Sequence, residues 1–258
     1  MLIVISPAKT LDFDTPPVTK TASKPTMLSA SAELVEQMRA YSASDLVDLM
    51  GISAKLGELN HQRFQQWQPP FNAGNAKQAL LAFRGDVYSG IDADAFSEQD
   101  FDFAQQHLRI LSGLYGLLRP LDYIQPYRLE MGVRVKNSEG DTLYDFWGDS
   151  LAKAINKQLK ALSSDTLINL ASNEYFKAID RKALNVNVIT PVFKDYKNGK
   201  YKIISFFAKK ARGMMSAYII NNKLTEPESI KGFDTAGYYF DADSSTSNSW
   251  TFLRDEPQ

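Results

Sequence analysis

Cysteine is absent from the 258 residues, which excludes disulfides, thiolate nucleophiles, iron–sulfur ligation and any peroxide-sensing thiol. A part in redox stress would therefore be indirect. Histidine occurs twice, as His61 and His107, and neither has a second nitrogen or sulfur ligand at a close helical or turn spacing. No tightly bound metal and no cofactor are expected. No run approaches the roughly 18 apolar residues needed to span a bilayer. The opening MLIVISPAKT has neither the basic start nor the small-residue cleavage site of a secretory signal. The expectation is a cytoplasmic protein with no membrane partner. Internal repeats, a G-x-G-x-x-G fingerprint and a Walker A loop are also missing.

What is present suffices for an ordinary interior: 44% apolar and 12% aromatic residues. The length is near the upper limit for one hydrophobic core, so residues 1–258 are expected to form a single domain. Leu2-Ile3-Val4-Ile5-Ser6, ended by Pro7, reads as a buried strand. Residues 80–83, 166–171, 186–193 and 201–207 read as further strands. Helical patterns cover 32–39, 44–50, 75–79, 98–111 and 149–162, and Pro16 to Pro25 reads as an irregular loop. Helices and strands are interspersed rather than cleanly alternating. The expected fold is mixed α/β (α+β), a mixed sheet with surrounding helices, and not a doubly wound nucleotide-binding sheet.

The net charge of −1 hides a strong asymmetry. From Lys177 to Arg212 there are ten cations against Asp180 and Asp195, a segment charge of +8, which leaves −9 for the rest. Such runs are usually solvated faces, but two features point to an anionic partner. Asn198-Gly199 between β-rich runs is a strong hairpin signal, because a type I′ turn needs positive φ at both central residues. The register that follows pairs Lys197 with Lys200 and Asp195 with Lys202, with Tyr196 and Tyr201 on the opposite face. Beyond the hairpin, Ala211, Met214, Met215, Tyr218 and Ile219 have helical spacing, and Lys209, Lys210 and Arg212 are expected in the first turn of that helix. Cations beside free N–H groups at a helix start would suit phosphate.

A second candidate lies at Leu49-Met50-Gly51-Ile52-Ser53-Ala54-Lys55, between two amphipathic helices. It resembles the helix-hairpin-helix of DNA-repair proteins, apolar-x-Gly-apolar-Gly-x-Lys, in which backbone N–H groups and a lysine hold phosphates without reading bases. Gly51, Ile52 and Lys55 match, while Ser53 stands where the second glycine would be; an ordinary turn between packed helices fits equally. Leu111 to Gly116 is similar, with its glycines three apart.

Further strings place charged and aromatic residues at strand ends and turns: Ser6 to Lys9, Arg84 to Gly90, Leu111 to Pro120, Pro126 to Gly132, Phe146-Trp147, Asn169 to Tyr175 and Phe207 to Gly213. Strand-end loops are where sites are built. Arg119, Tyr127, Arg128 and Trp147 would add phosphate forks and a stacking surface. The plainer reading makes Asp86, Arg128 and Glu130 structural ion pairs and turn caps. In this order the strings resemble the YaaA family over residues 1 to about 254. The resemblance implies a protein of the hydrogen-peroxide response that limits iron-mediated damage and protects DNA, with a compact α/β fold and a positively charged cleft. It supplies no catalytic residue.

The leading expectation is thus contact with the backbone of double-stranded or structured DNA through Lys9, Gly51, Lys55, Arg84, Arg119, Arg128, Lys194, Lys197, Lys200, Lys202, Lys209, Lys210 and Arg212, with Asp86, Tyr88, Asn173 and Glu174 as polar residues of a cleft. The alternative is an enzyme acting on a nucleotide or phosphorylated substrate in that cleft. A third, an iron-handling or interaction module, has only carboxylates and two histidines to draw on.

Overall fold

A computed structural model describes residues 1–255 of the chain. Leu2-Ile3-Val4-Ile5 form β1 (Leu2–Ile5), every residue of which is fully buried. Such burial requires cover on both faces, as in parallel sheets. The main sheet continues with β2 (Leu108–Ser112), β3 (Gly116–Leu118), β4 (Thr166–Leu170), β5 (Asn187–Lys197), β6 (Lys200–Lys202), β7 (Tyr238–Asp241) and β8 (Ser249–Arg254). Its order is β7-β8-β5-β4-β1-β2-β3, with β6 returning along β5. The five strands β8, β5, β4, β1 and β2 run parallel, while β3, β6 and β7 are antiparallel to their neighbours. The sheet is therefore mixed, and more parallel than interspersed elements imply. Its α-helices of six residues or more are α1 (Leu28–Arg39), α2 (Ala43–Met50), α3 (Ala54–Gln66), α4 (Asp86–Ile91), α5 (Glu98–His107), α6 (Ser150–Ala161) and α7 (Ser205–Asn221). One buried apolar cluster extends from Met1 to Phe252.

Topology fixes where a site can form. After β1 the chain reaches β2 on one side, whereas after β4 it continues to β5 on the other. The carboxyl ends of β1 and β4 therefore flank a topological switch point, where a crevice opens because the connections diverge.

Several local expectations are corrected. Residues 80–83 are not a strand: Ala79–Ala82 is one buried helical turn leading into Phe83–Arg84, which pairs with Thr10–Leu11. A short apolar run does not distinguish a buried turn from a strand. Lys77–Gln78, expected to be helical, pairs with Tyr123–Ile124. The helix expected over 98–111 ends at His107, and Leu108 to Ser112 enter the sheet as β2. Leu111 to Gly116 is the β2–β3 connection, in which Ser112 pairs with Gly116, and no helical hairpin.

The hairpin register is the expected one: Lys200 opposite Lys197, Tyr201 opposite Tyr196 and Lys202 opposite Asp195, with φ of 56° at Asn198 and 79° at Gly199. The strand expected to reach Phe207 stops at Lys202, however, and α7 begins at Ser205. Past Lys202 the chain gains more by burying Ala208, Ala211, Met215 and Ile219 along a helix than by extending an edge. Lys209, Lys210 and Arg212 consequently lie beyond the first turn, where the dipole has faded. The expected phosphate site at a helix start is not formed by these residues.

α7 crosses α4 at backbone contact. A Cβ placed on Gly213 would lie 1.9 Å from the Val87 carbonyl oxygen, and one on Gly90 would lie 2.2 Å from the Lys210 oxygen. Two glycines thus allow the approach that brings Asp86 and Tyr88 beside Lys209 and Arg212.

Candidate functional site

A cleft of 450 Å³ opens at the switch point. Its floor and walls are the segment after β1 (Ser6 to Thr10), the segment after β4 (Ser172, Glu174, Tyr175), the start of α4 with Arg84 and Gly85, and Lys209 and Arg212 of α7. A smaller hollow shares Lys9 and Glu174 and adds Tyr127 to Glu130. The two strand-end loops are joined directly, since the Ser172 N–H donates to Ser6 Oγ at 2.8 Å and the Ser6 hydroxyl donates to Ser172 Oγ at 3.2 Å. The buried Tyr88 hydroxyl donates to the Ser6 carbonyl at 3.0 Å, and burial pushes its pKa well up. It acts there as a neutral tether.

Of the cleft cations, some are already neutralised. Lys9 lies 2.7 Å from Glu130, which also takes a fork from Arg128 at 2.9 and 3.2 Å. Arg84 is held between Asp12 at 3.1 Å and Asp94 at 3.0 Å. Asp12 is held far below the ordinary carboxylate range, first by the Thr15 backbone N–H, although burial opposes this, and then by Arg84 and Lys77. Arg212 differs. It is half-buried, burial lowers its pKa, and among the described residues it has neither a carboxylate within 4.0 Å nor any side-chain hydrogen bond. Every other arginine that is at least partly buried has one. Asp86 is likewise half-buried and its carboxylate has no partner among the described residues. Glu174 accepts the Gly132 N–H at 2.9 Å. Asn173 is exposed and does not line the cleft.

The remaining candidates lie elsewhere. Arg119 forks onto the fully buried Asp122 and donates to the Lys24 carbonyl at 2.8 Å, a structural engagement rather than a free phosphate fork. Trp147, 3% exposed, donates to the Gly113 carbonyl, and Tyr127 is buried against the Ser112 hydroxyl, so neither offers a stacking surface. Gly51 closes α2 with φ 61°, and Ser53, in extended backbone, caps α3 by accepting the Leu56 N–H. No glycine is needed at that position. Lys55 projects from the first turn of α3 and is exposed.

On the hairpin, Asp195 does not sit among the lysines as a surface charge. It is buried, takes the Arg254 guanidinium at 2.6 Å and accepts the Tyr238 hydroxyl at 3.2 Å. Lys194, Lys197, Lys200 and Lys202 are left without a carboxylate partner among the described residues, as are Lys55, Lys209 and Lys210. Sequence reasoning paired Tyr196 with Tyr201 but missed the rest of the open apolar surface: Ile203 is 61% and Phe206 55% exposed, and Phe207 and Tyr239 are also open. Tyr196 and Tyr201 meet edge to face at 5.1 Å. The hairpin register carried the signal for this tyrosine pair. It also missed Asp12 and the buried Lys77, whose Nζ donates to the Asp12 and Thr15 carbonyls at 2.9 and 2.7 Å.

Fold and site together define an α/β protein with a mostly parallel sheet and a polar cleft at its switch point. Residues 1–244 match the family described as peroxide stress protein YaaA, and the chain belongs to that family. It is 59% identical over 254 residues to a UPF0246 protein of Teredinibacter turnerae and, over the same length, to one of Saccharophagus degradans, covering 98% of this chain and 99% of each relative. A UPF0246 protein of Colwellia psychrerythraea is 56% identical over 256 residues, 99% of this chain and 100% of that protein.

Proposed function

We propose that this peroxide stress protein works in the cytoplasm by binding DNA through its phosphate backbone, largely without reading sequence. The observation that supports this most directly is the distribution of unpaired cations. Lys197 stands opposite Lys200 on an exposed hairpin, and like charges so placed repel unless an anion lies between them. Lys202 lies on the same face, Lys194 adds charge on the face of the tyrosines, and Lys209 and Lys210 add exposed charge on α7. Cations free of internal partners can release counterions from a polyanion, which is the source of sequence-independent affinity. The Gly51 to Lys55 turn offers a second contact of the kind that positions a protein on a backbone.

Open aromatic rings on the opposite face of the same hairpin, the face that also carries Lys194, favour structured DNA over plain duplex. Tyr196 and Tyr201 could take an unpaired base by stacking, which is worth roughly 1–3 kcal/mol per base. Lacking thiols, such a protein would protect by covering DNA against iron-generated oxidants rather than by reducing them through cysteine. The test is a binding titration with random duplex, defined duplex and bubble DNA. The two duplexes are expected to bind alike and the bubble more tightly; strong preference for one duplex sequence would refute backbone recognition.

A further inference from the structure

We propose that the switch-point cleft is a separate binding site for one phosphorylated small molecule of mononucleotide size, with Arg212 holding the phosphate and Asp86 accepting a hydroxyl or amine of the same ligand.

Some charges in the cleft are already satisfied and others are not. Lys9 and Arg84 are neutralised by Glu130, Asp12 and Asp94. Arg212 is not, although it has been taken partly out of water, and an unpartnered guanidinium in that position is costly. A planar fork of donors is suited to a phosphate or carboxylate. Lys209, without a carboxylate partner among the described residues, lines the same cleft, as does the Glu174 carboxylate, which is held only by the Gly132 N–H, while Glu130 has to serve both Lys9 and Arg128; four cations thus face the three carboxylates of Glu130, Asp86 and Glu174, an excess of one positive charge. That balance favours a ligand carrying an anionic group of one to two charges together with neutral donors, as a phosphate monoester with hydroxyls does.

Space and topology agree. The volume of 450 Å³ lies within the range of small-molecule sites. Between the polar groups, Pro7, Ala8, Val87 and Leu170 provide an apolar wall for a ring. The carboxyl ends of parallel strands at a switch point are where such ligands sit in open α/β sheets. The Gly90–Gly213 crossing fixes Asp86 and Arg212 on two helices in backbone contact, so the two groups are held in place before any ligand arrives.

This cleft does not depend on DNA binding: of the cations assigned above to DNA only Lys209 lines it, and neither the hairpin lysines nor the Gly51 turn do. The test uses the whole protein with three probes, adenosine 5′-monophosphate, adenosine and inorganic phosphate, read by titration calorimetry. Adenosine monophosphate should bind saturably at one site, adenosine more weakly. Arg212→Met should lose at least about ten-fold in affinity for the monophosphate, with partial recovery in Arg212→Lys. Asp86→Asn should weaken adenosine monophosphate while leaving inorganic phosphate unchanged or tighter, a split that a general loss of structure would not give. Lys197→Ala with Lys200→Ala should leave all three unchanged. Absence of saturable binding by the wild-type protein at millimolar ligand would overturn the proposal. Equal affinity in a folded Arg212→Met would do the same, as would parallel loss for both phosphate probes in Asp86→Asn. DNA affinity that falls with the hairpin lysines but not with Arg212 separates the two sites.

Discussion

At the residue scale, what decides a side chain's role here is whether an internal partner already holds it. Strand-end placement of Lys9 and Glu174 was legible from the strings around them, since each follows an apolar run and a turn, whereas Arg84 and Asp86, expected after a strand over 80–83, come after a buried helical turn instead. Their pairing was not legible, because Asp12, Asp94 and Glu130 arrive from other segments, and only tertiary structure shows that Arg84 is held twice while Arg212 has no side-chain partner among the described residues. Tyr127 and Trp147 were misjudged for the same reason: an aromatic residue in a Gly-rich string can be core or surface, and packing put both inside. The Gly213 approach to α4 yields a stability prediction. Gly213→Ala places a methyl group against the Val87 carbonyl and should cost about 1–3 kcal/mol or more, read as a lowered urea midpoint; an unchanged midpoint would deny the close crossing. His107 gives a pH prediction. Burial lowers its pKa and outweighs the Nδ1–H donation to the Met1 carbonyl at 2.8 Å, which acts to raise it. The fold therefore favours the neutral ring, and stability should fall as pH drops below the unfolded value of roughly 6.5, levelling off below the depressed folded value. In thermal melts, the stability advantage of wild type over His107→Gln should shrink between about pH 7.5 and pH 5. A constant difference would contradict this sign.

At the scale of elements, the hairpin was the most legible piece of the chain. Asn198-Gly199 dictates positive φ, positive φ dictates the turn, and the turn dictates that Lys197 meets Lys200. The start of α7 was not legible, because Tyr201 to Phe207 is aromatic and β-branched and local propensity speaks for a strand. Burial of Ala208, Ala211, Met215 and Ile219 overrides it, and the shift moves three cations out of the first turn. Removing both hairpin charges, Lys197→Ala with Lys200→Ala, should leave the melting temperature unchanged or slightly raised, because a repulsive cross-strand pair of a few tenths of a kcal/mol disappears. DNA affinity should fall in the same variant. A drop in stability would mean that the two lysines hold the hairpin together rather than strain it. Tyr201→Ala should weaken bubble DNA more than duplex if stacking contributes, and equally if it does not.

At the scale of the molecule, a mixed α/β sheet with surrounding helices was readable from the order of apolar runs. The predominance of parallel pairing was not, because Leu108 to Ser112 was absorbed into the preceding helix, and without β2 the switch point cannot be located. Among the described residues there is no group of three or more metal-ligating side chains, and no helix is long and apolar enough to cross a membrane. Protein treated exhaustively with chelator is expected to hold no stoichiometric iron or zinc, as elemental analysis would show; retained metal would favour iron handling. The central claim, that unpaired lysines bind the DNA backbone, is tested most directly by the salt dependence of duplex affinity in the wild type and in a folded variant with Lys194, Lys197, Lys200 and Lys202 replaced by alanine. The logarithm of the binding constant should fall linearly with the logarithm of salt concentration, and the slope should shrink by about 0.9 for each phosphate that the variant no longer neutralises, alike for every duplex sequence. Full affinity with an unchanged slope in that variant would contradict the account.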